Sequence, residues 1–410
     1  MKVLAALLVC CFAAVSGEIV RFHGHEVLRV YPETQGEVSS LKVLGNLYDF
    51  WTPPRLNRPT DIQVGGGDKK ALRDFLTKNG IKYEVMIDDL EQIINLERMS
   101  NVKGTNAFNL SAYNTLAEIH QFLDDISSQH PSLSEVIEIG KSTLGQPLRL
   151  IRIGANGGTR KKAYWIDGGI HAREWISPAV TVWTINELLT NNAKYSNLLE
   201  KVDFYILPVA NADGYEFSRT SNRLWRKTRK NHSSIWGCIG ADPNRNFDVH
   251  FGGSGTSSDK CSEIYRGPNA FSEPETAAMR DFIIARNSTT AEWKVYNSLH
   301  SYAQMILTPW GWTNALPDDY AKLRALGDRA AVALTAVHGT KYEVGSVTEL
   351  LDAGAGGSDD WAYGSGLFEY SYTIEMRDTG RYGFVLPANQ IVPTSEETFE
   401  AIRVMAESQL

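Results

Sequence analysis

The stretch Ala163–Trp175, with the sequence AYWIDGGIHAREW, decides how the chain folds and where its chemistry lies. Its largely apolar start, Ala163–Ile170, is typical of a buried strand. His171 and Glu174 follow, three residues apart, and an imidazole nitrogen and a carboxylate oxygen are both good ligands for a divalent zinc ion. Because the chain has nine histidines, one such pair can arise by chance, and its meaning depends on the residues downstream.

Strand-like and helical segments alternate along the chain from Phe108 to its end. Such alternation over about three hundred residues predicts one large α/β domain, with a mixed, mostly parallel sheet and helices on both faces. The clearest predicted strands are Leu148–Ile153, Ala163–Ile170, Phe204–Val209, Lys294–Leu299 and Tyr370–Glu375, and the clearest helices are Leu116–Ile126 and Val180–Leu189.

Residues 26–98 show a second, shorter pattern in which strands and helices alternate at close intervals. This order in so few residues predicts a small α/β open sandwich of the split βαβ type. The predicted strands are Glu26–Tyr31, Thr60–Val64 and Ile81–Ile87, and the predicted helices are Leu41–Phe50, Lys69–Lys78 and Asp88–Met99.

The N-terminus has the pattern of a secretory signal. Lys2 precedes the apolar run Val3–Val15, and Ser16 and Gly17 supply small residues for cleavage. We therefore expect residues 1–17 to be a signal peptide and the protein to be secreted to the extracellular space. The apolar run is too short to span a bilayer comfortably, and no other stretch is long enough to be a membrane helix. The net charge of −7 argues against a nucleic-acid partner.

Cysteine usage agrees with secretion. Cys10 and Cys11 lie in the signal, which leaves Cys238 and Cys261 in the mature chain. Two cysteines in an oxidising compartment usually pair, although two buried thiols are the alternative. A disulfide between them contributes about 3 kcal/mol in the chain-entropy description.

The polar segment Arg98–Asn106 separates the two predicted units. It contains Arg98 and Lys103, and its composition fits an exposed linker that a trypsin-like protease can cut. An ordinary interdomain linker is the alternative.

Polar side chains lie where several predicted strands end, and ligands bind at strand ends in open α/β sheets. His300 ends the run Lys294–Leu299, and Glu375 ends the last predicted strand. Together with His171 and Glu174, His300 completes three zinc ligands and leaves the fourth position for water. Glu375 is then the nearby carboxylate that such a water needs as a base.

From about Thr105 to the C-terminus the chain resembles the zinc metallocarboxypeptidases of the pancreatic A/B type. The matching segments, in family order and at family-like spacing, are FNLSAYNTLAEI, IDGGIHAREWISPA, NADGYEFS, NRLWRKTRK, DPNRNFD, LHSY, GGSDDWAY and EMRDTGRYGFVLP. The resemblance implies an activation pro-domain at residues 18–103 and a catalytic domain at residues 104–410. It also implies a zymogen that a trypsin-like protease activates by cutting near Arg98 or Lys103.

The resemblance further implies one zinc ion per chain, bound by His171, Glu174 and His300. Glu375 matches the family's catalytic carboxylate, which takes a proton from the attacking water and passes it to the leaving amine. Arg226 matches the arginine that, together with zinc, stabilises the oxyanion. Cys238 and Cys261 match the family's disulfide. The implied partners are peptide and protein C-termini as substrates, an activating protease and proteinaceous carboxypeptidase inhibitors.

Asn244 and Arg245 match the pair that grips the substrate's terminal carboxylate. This pairing implies an exopeptidase, because an internal peptide bond offers Arg245 no charge. The full set of residues expected around the substrate is Arg173, Asn244, Arg245, Tyr302, Gly311, Val347, Asp352 and Asp359.

Asp359 is the expected determinant of specificity. A-type enzymes carry an apolar residue at this position and B-type enzymes carry Asp, so we expect a preference for C-terminal Lys or Arg. Val347 stands where B-type enzymes tend to have glycine, which narrows the pocket and disfavours arginine relative to lysine. Asp352 stands where the family has a mobile tyrosine, so we expect weaker closure over the substrate. Its extra carboxylate can assist the binding of a basic substrate.

Two alternatives to B-type activity remain at this point. The first is A-type specificity for apolar or aromatic C-termini. The second is a binding protein that kept the fold and lost its chemistry. Such proteins typically lose a metal ligand or the catalytic Glu, whereas this chain keeps His171, Glu174, His300 and Glu375.

Overall fold

The computed structural model of the protein describes residues 19–101, 108–155, 160–232 and 237–410. The predicted signal peptide and Lys103 lie outside these residues. Among the described residues, no helix is long and apolar enough to cross a membrane. The chain forms two packed units, each built on its own sheet.

The N-terminal unit is a four-stranded antiparallel sheet with strand order β2-β3-β1-β4. Its elements are β1 (Glu26–Tyr31), α1 (Gln35–Lys42), β2 (Asp49–Phe50), β3 (Thr60–Val64), α2 (Lys69–Lys78), β4 (Lys82–Ile87) and α3 (Leu90–Ser100). Helices α1 and α2 cover one face of the sheet, where Leu41, Leu72 and Leu76 pack with Leu28 and Val30 of β1. The open sandwich expected from the sequence is confirmed.

The predicted helix Leu41–Phe50 is wrong in its position. The helix begins six residues earlier, at Gln35, because the side chain of the capping residue Thr34 accepts a hydrogen bond from the backbone N–H of Glu37. A 3-10 turn at Val43–Asn46 follows α1, and the chain is already extended in β2 at Asp49. The sequence of this turn includes Gly45, which is a poor helix former.

The C-terminal unit is built on an eight-stranded mixed sheet with strand order β11-β10-β12-β9-β7-β8-β6-β5. Strands β7, β8, β9 and β12 are parallel to one another, and β10 with β11 forms another parallel pair. The strands are β5 (Ser134–Lys141), β6 (Pro147–Ile153), β7 (Lys161–Gly168), β8 (Val202–Leu207), β9 (Ala291–Ser301), β10 (Met305–Thr308), β11 (Glu343–Ser346) and β12 (Tyr370–Met376). The helices are α4 (Leu116–Gln129), α5 (Ile176–Thr190), α6 (Ser196–Lys201), α7 (Ala212–Thr220), α8 (Pro274–Asn287), α9 (Tyr320–His338), α10 (Val347–Leu350), α11 (Ser358–Gly364) and α12 (Ile391–Glu407).

Helices cover both faces of this sheet, as the sequence predicts. Along β7, Tyr164 and Ile166 point into a core shared with α4, α5, α9 and α12. Their neighbours Ala163 and Trp165 point into a second core shared with α8 and α11. A strand buried on both faces reads as a nearly continuous apolar run, which is why Ala163–Ile170 stands out in the sequence. A disulfide joins Cys238 and Cys261, which confirms the predicted pair.

The two units meet through the face of the N-terminal sheet that α1 and α2 leave open. Val27, Trp51 and Ile87 from the N-terminal unit pack there with Tyr302 and Phe384 from the C-terminal unit. At the edge of this contact, Glu97 of α3 accepts two hydrogen bonds of 2.6 Å from the guanidinium of Arg223. Both side chains are buried, so α3 is held firmly on the C-terminal unit just before the predicted linker.

Candidate active site

The parallel register of three central strands brings the predicted site together. Strand β7 lies beside β9 with Gly168 opposite Leu299, and β9 lies beside β12 with His300 opposite Glu375. The carboxyl ends of all three strands therefore open at the same edge of the sheet. His171, which follows β7, reaches this edge beside His300 and Glu375.

A glycine pair lets the chain fold back directly after β7. A Cβ on Gly168 would lie only 2.9 Å from the Ser177 carbonyl oxygen, and Gly169 has a φ of +65°. The Ser177 hydroxyl accepts a hydrogen bond from the Gly169 N–H and donates to the Glu174 carbonyl. The turn is thus closed between β7 and α5, with His171 and Glu174 on its inner side.

Three donor groups converge where the sequence predicts a metal site. His171 Nδ1 lies 2.7 Å from Glu174 Oε1 and 3.2 Å from His300 Nδ1, and His300 Nδ1 lies 3.1 Å from Glu174 Oε2. Tetrahedral zinc holds nitrogen and oxygen ligands roughly 3.3 Å apart, so these atoms need little movement to bind it. His171, Glu174 and His300 therefore form a site that can hold a metal ion.

The site also attracts positive charge. Burial lowers the pKa of His300, but the adjacent Glu174 outweighs burial and raises it to about 9. Two imidazole nitrogens that face each other at 3.2 Å beside a carboxylate require a cation or a proton between them. Zinc meets this requirement while keeping both imidazoles neutral.

Each histidine is oriented through its other ring nitrogen. His171 Nε2 lies 3.1 Å from Asp242 Oδ1, and His300 Nε2 lies 3.1 Å from the Ser298 hydroxyl. Ser298 in turn donates to Asp167 at 2.7 Å. Such outer partners fix the ring that presents its free nitrogen to a metal ion.

Asp242 also holds Arg226, so one carboxylate links two predicted functional residues. Arg226 donates from Nε and Nη2 to Asp242 Oδ2, at 3.1 and 2.8 Å. Although burial opposes it, Arg226 and His171 keep the pKa of Asp242 well below its usual range. Arg226 is thereby a fixed positive charge lining the cleft that contains the metal ligands.

Glu375 lies beside the metal ligands with one free oxygen. Its Oε2 is buried and has no hydrogen-bond partner in the described part of the chain. Burial raises the pKa of Glu375 to about 7, against the opposing influence of His300. The neighbouring Arg377 pairs with Glu397 instead of Glu375, which leaves Glu375 available to the cleft.

Asn244 and Arg245 line the same cleft and are held from behind. The Asn244 side-chain oxygen accepts a hydrogen bond of 2.8 Å from the Ser358 N–H. Arg245 donates from Nε to the Gly255 carbonyl and from Nη1 to the Asn244 carbonyl. Gly354 lies directly against the guanidinium, since a Cβ there would approach Arg245 Cζ to 2.9 Å.

The two adjacent aspartates of α11 have different surroundings. Asp360 accepts hydrogen bonds from the backbone N–H groups of Gly311 and Trp312, at 2.8 and 3.2 Å. Asp359 lines the cleft, and its buried Oδ2 has no partner among the residues described. Burial raises the pKa of Asp359. Gly311 and Val347 also line this part of the cleft.

Three predicted substrate residues contact the N-terminal unit. Arg173 Nη1 donates to Asp49 at 2.7 Å, the Tyr302 hydroxyl donates to Asp61 at 2.6 Å, and Asp352 pairs with Lys42 at 2.6 Å. Trp51, Thr52 and Pro53 line the cleft directly, together with the metal ligands. In this form of the chain, the N-terminal unit covers the entrance to the site.

The supporting residues Asp242, Ser298 and Asp167 were missed in the sequence. Two of them had a usable signal. Ser298 precedes His300 by two residues on a strand, so both must share a face, and Asp242 opens the DPNRN segment. Asp167 had none, because nothing in the sequence pairs it with Ser298 131 residues away.

Comparison with known proteins shows the family to which the chain belongs. Residues 119–401 match the zinc carboxypeptidase family, and residues 28–97 match the carboxypeptidase activation peptide. The chain belongs to the zinc carboxypeptidase family. It is a zinc metallocarboxypeptidase with an activation peptide, and its His171, Glu174 and His300 form a site that can hold the metal ion.

Relatives of both specificity types are similar to this zinc carboxypeptidase. Carboxypeptidase B of Astacus astacus is 49% identical over 296 residues, which cover 72% of this chain and 96% of that protein. Carboxypeptidase A2 of Mus musculus is 40% identical over 400 residues, 94% of each chain. Overall similarity therefore supports a peptide hydrolase that is made as a zymogen. It does not distinguish A-type from B-type specificity.

Solved structures share this fold over most of the chain. The crystal structure of thrombin activatable fibrinolysis inhibitor matches with a TM-score of 0.85 and 34% identity over 94% of this chain and 99% of that chain. The structure of the bovine protein in complex with tick carboxypeptidase inhibitor matches with a TM-score of 0.67 and 39% identity, covering 73% of this chain and 98% of that one.

Asp242→Asn should weaken zinc binding, because His171 and Arg226 both lose their charged partner. We expect zinc affinity to fall by about 10- to 100-fold, measured by competition with a chromophoric chelator on the full-length chain. Asp281→Asn is the matched control, since Asp281 is an exposed helix carboxylate paired with Arg280. Unchanged zinc affinity in Asp242→Asn would show that Asp242 does not support the metal ligand.

Proposed function

We propose that the protein is a secreted zymogen whose activated form removes C-terminal Lys or Arg from peptides and proteins. The observation that carries the specificity is Asp359, a carboxylate in the active-site cleft with a buried, unpartnered oxygen. The proposed units are a signal peptide at residues 1–17, a pro-domain at 18–103 and a catalytic domain at 104–410.

Glu375 is the proposed general base. A carboxylate with a pKa raised to about 7 by burial is a stronger base than an ordinary glutamate and is partly deprotonated at neutral pH. Its free Oε2 can accept a proton from the attacking water and deliver that proton to the leaving amine. Zinc, when bound by His171, Glu174 and His300, acts as a Lewis acid that makes water and the scissile carbonyl more reactive.

Arg226 is the proposed partner of the developing oxyanion. Asp242 holds its guanidinium in place, so little reorganisation is needed when negative charge appears on the substrate. Arg245 and Asn244 are the proposed site for the terminal carboxylate. A guanidinium fork held by backbone carbonyls matches the two oxygens of that carboxylate.

Asp359 favours a cationic side chain for an electrostatic reason. A buried carboxylate without a cationic partner is costly, and a Lys or Arg side chain in the cleft would pair with it. An apolar side chain would cover the carboxylate and leave it unpaired. Asp360 cannot play this part, because both of its oxygens accept hydrogen bonds from Gly311.

A-type specificity is the alternative, and Val347 is the residue that favours it. A Cβ at Gly311 would approach Val347 Cγ1 to 3.3 Å, so valine narrows the pocket and adds an apolar wall. We propose that this wall selects lysine over arginine within the B-type preference.

The N-terminal unit is the proposed inhibitory pro-domain. Its Asp49 and Asp61 engage Arg173 and Tyr302, which we propose contact substrate in the active enzyme. Proteinaceous carboxypeptidase inhibitors are proposed partners too, because the solved complex of a 39% identical neighbour contains one.

A trypsin-like protease should activate the chain by cutting after Lys103. Arg98 is exposed but lies in the last turn of α3, which is anchored by Glu97 on Arg223, so a cut there requires the helix to unwind. N-terminal sequencing of the catalytic fragment after limited trypsin treatment checks the position. An uncut chain with full activity would contradict inhibition by the pro-domain.

Activity should fall as the pH drops through about 7, because Glu375 must be deprotonated to act as a base and burial raises its pKa to about 7. Bound zinc is positive, so it lowers the pKa of Glu375 and moves the loss of activity toward lower pH. A plot of kcat/KM against pH on the acidic side measures the pKa of Glu375 in the zinc enzyme. Glu375→Gln should lower kcat by about 10²-fold or more at every pH, with zinc content retained as the control. An active Glu375→Gln enzyme with the same acidic limb would exclude Glu375 as the base.

Asp359→Ile should remove the preference for basic C-termini. For matched peptides ending in Lys, Arg, Phe and Leu, we expect kcat/KM on the basic pair to fall by about 10²-fold or more, with a gain on the apolar pair. Val347→Gly should raise kcat/KM for the Arg peptide relative to the Lys peptide and leave the preference for basic C-termini in place. A wild-type enzyme that favours Phe or Leu would establish A-type specificity instead.

A further inference from the structure

The outer edge of the active-site cleft already holds two cationic side chains. Lys42 Nζ lies 2.6 Å from Asp352 Oδ2. Arg55 donates to the carbonyl oxygen of Glu349 at 2.6 Å and to that of Leu351. We call the three acceptors, the carboxylate of Asp352 and the carbonyls of Glu349 and Leu351, the acceptor edge.

Both cations belong to the unit that the proposed activation removes. After removal, the acceptor edge loses its ammonium and its guanidinium together and presents its three acceptor groups to solvent. Leu351 and Asp352 line the same cleft as His171, Glu174 and Asp359. The edge is therefore positioned to meet a substrate that extends out of the cleft.

The carboxylates of Asp352 and Asp359 lie at different depths in the cleft. The side chain of Asp352 is 35% exposed, whereas the residue Asp359 is 5% exposed. A single C-terminal side chain that pairs with Asp359 fills the deep end. The outer carboxylate is then left for the next side chain along the substrate.

We propose that the acceptor edge binds a cationic side chain on the substrate residue that precedes the C-terminal one. Lys42 and Arg55 then occupy in the zymogen the position that this side chain takes in the activated enzyme. The inference rests on the proposed function for the position of the substrate in the cleft. It makes Asp352 a specificity-determining residue in its own right.

The expected effect is modest, because the edge is partly exposed. Exposed charge pairs favour binding by about two- to fivefold. A penultimate glutamate is repelled by Asp352 to a similar degree. The preference should shrink at high ionic strength, since salt screens exposed charges strongly.

The test compares peptides that share a C-terminal Lys and differ in the penultimate residue, which is Lys, Gln or Glu. Full-length wild-type chain, Asp352→Asn and Glu343→Gln are each activated with trypsin. The trypsin is then inactivated with a serine-protease inhibitor before the assay, because it would itself cut after a penultimate Lys. The readout is the ratio of kcat/KM for penultimate Lys to that for penultimate Glu. We expect roughly 4- to 25-fold in the wild type, the product of one attraction and one repulsion, and a ratio near one in Asp352→Asn.

Glu343→Gln is the matched control. Glu343 also pairs with a cation of the N-terminal unit, Arg58 at 2.9 Å, but it lines a neighbouring cleft that does not contain the metal ligands. The substitution removes the same charge and a comparable contact, so its ratio should stay at the wild-type value. Lys42→Gln should also keep the wild-type ratio, because Lys42 leaves with the pro-domain.

Two results would overturn the proposal. One is a wild-type ratio near one at low salt. The other is an Asp352→Asn enzyme that loses activity equally on all three peptides, which would mark Asp352 as generally structural. A second peptide set ending in Phe separates this test from the B-type proposal. If only that set is cleaved, B-type specificity fails, while the penultimate preference is still measured on it.

Discussion

The active site depends on the register of three parallel strands. Strand β9 lies between β7 and β12, so His300 is held between the turn that carries His171 and Glu174 and the strand that carries Glu375. A slip of one residue in β9 would point His300 to the opposite face of the sheet. The register is secured by side chains buried on both faces of β7, and the core of the fold thereby determines the geometry of its chemistry.

A second constraint is that charge in the cleft must be balanced before and after activation. Arg173, Tyr302 and Asp352 contact Asp49, Asp61 and Lys42 of the N-terminal unit. At Arg173 the C-terminal unit supplies the cation and the N-terminal unit supplies the anion. At Asp352 the C-terminal unit supplies the anion and the N-terminal unit supplies the cation. The same complementarity that holds the N-terminal unit in place leaves groups of defined charge exposed when it departs. In the proposed function, inhibition and substrate recognition therefore use one set of side chains.

The sequence could predict the parts of the site whose chemistry is local. The spacing of His171 and Glu174, the strand ends at His300 and Glu375, and the open sandwich all followed from short patterns. The predicted helix Leu41–Phe50 was misplaced because the cap at Thr34 begins the helix at Gln35 and the chain is already extended at Asp49. The contacts of Asp352 could not be predicted, because Lys42 lies 310 residues away along the chain and the two meet only when the units pack.

The adjacent pair Asp359 and Asp360 shows why specificity requires a structure as well as a motif. The two side chains are identical and lie in the first turn of the same helix, and burial raises the pKa of both. Backbone N–H groups of Gly311 and Trp312 donate hydrogen bonds to Asp360, which ties this part of the cleft wall to α11. Asp359 keeps an unpartnered oxygen within the described residues, and a cation from outside is the partner that would relieve it. The difference lies in the backbone around the pair, because the loop at Gly311 and Trp312 supplies N–H donors to Asp360.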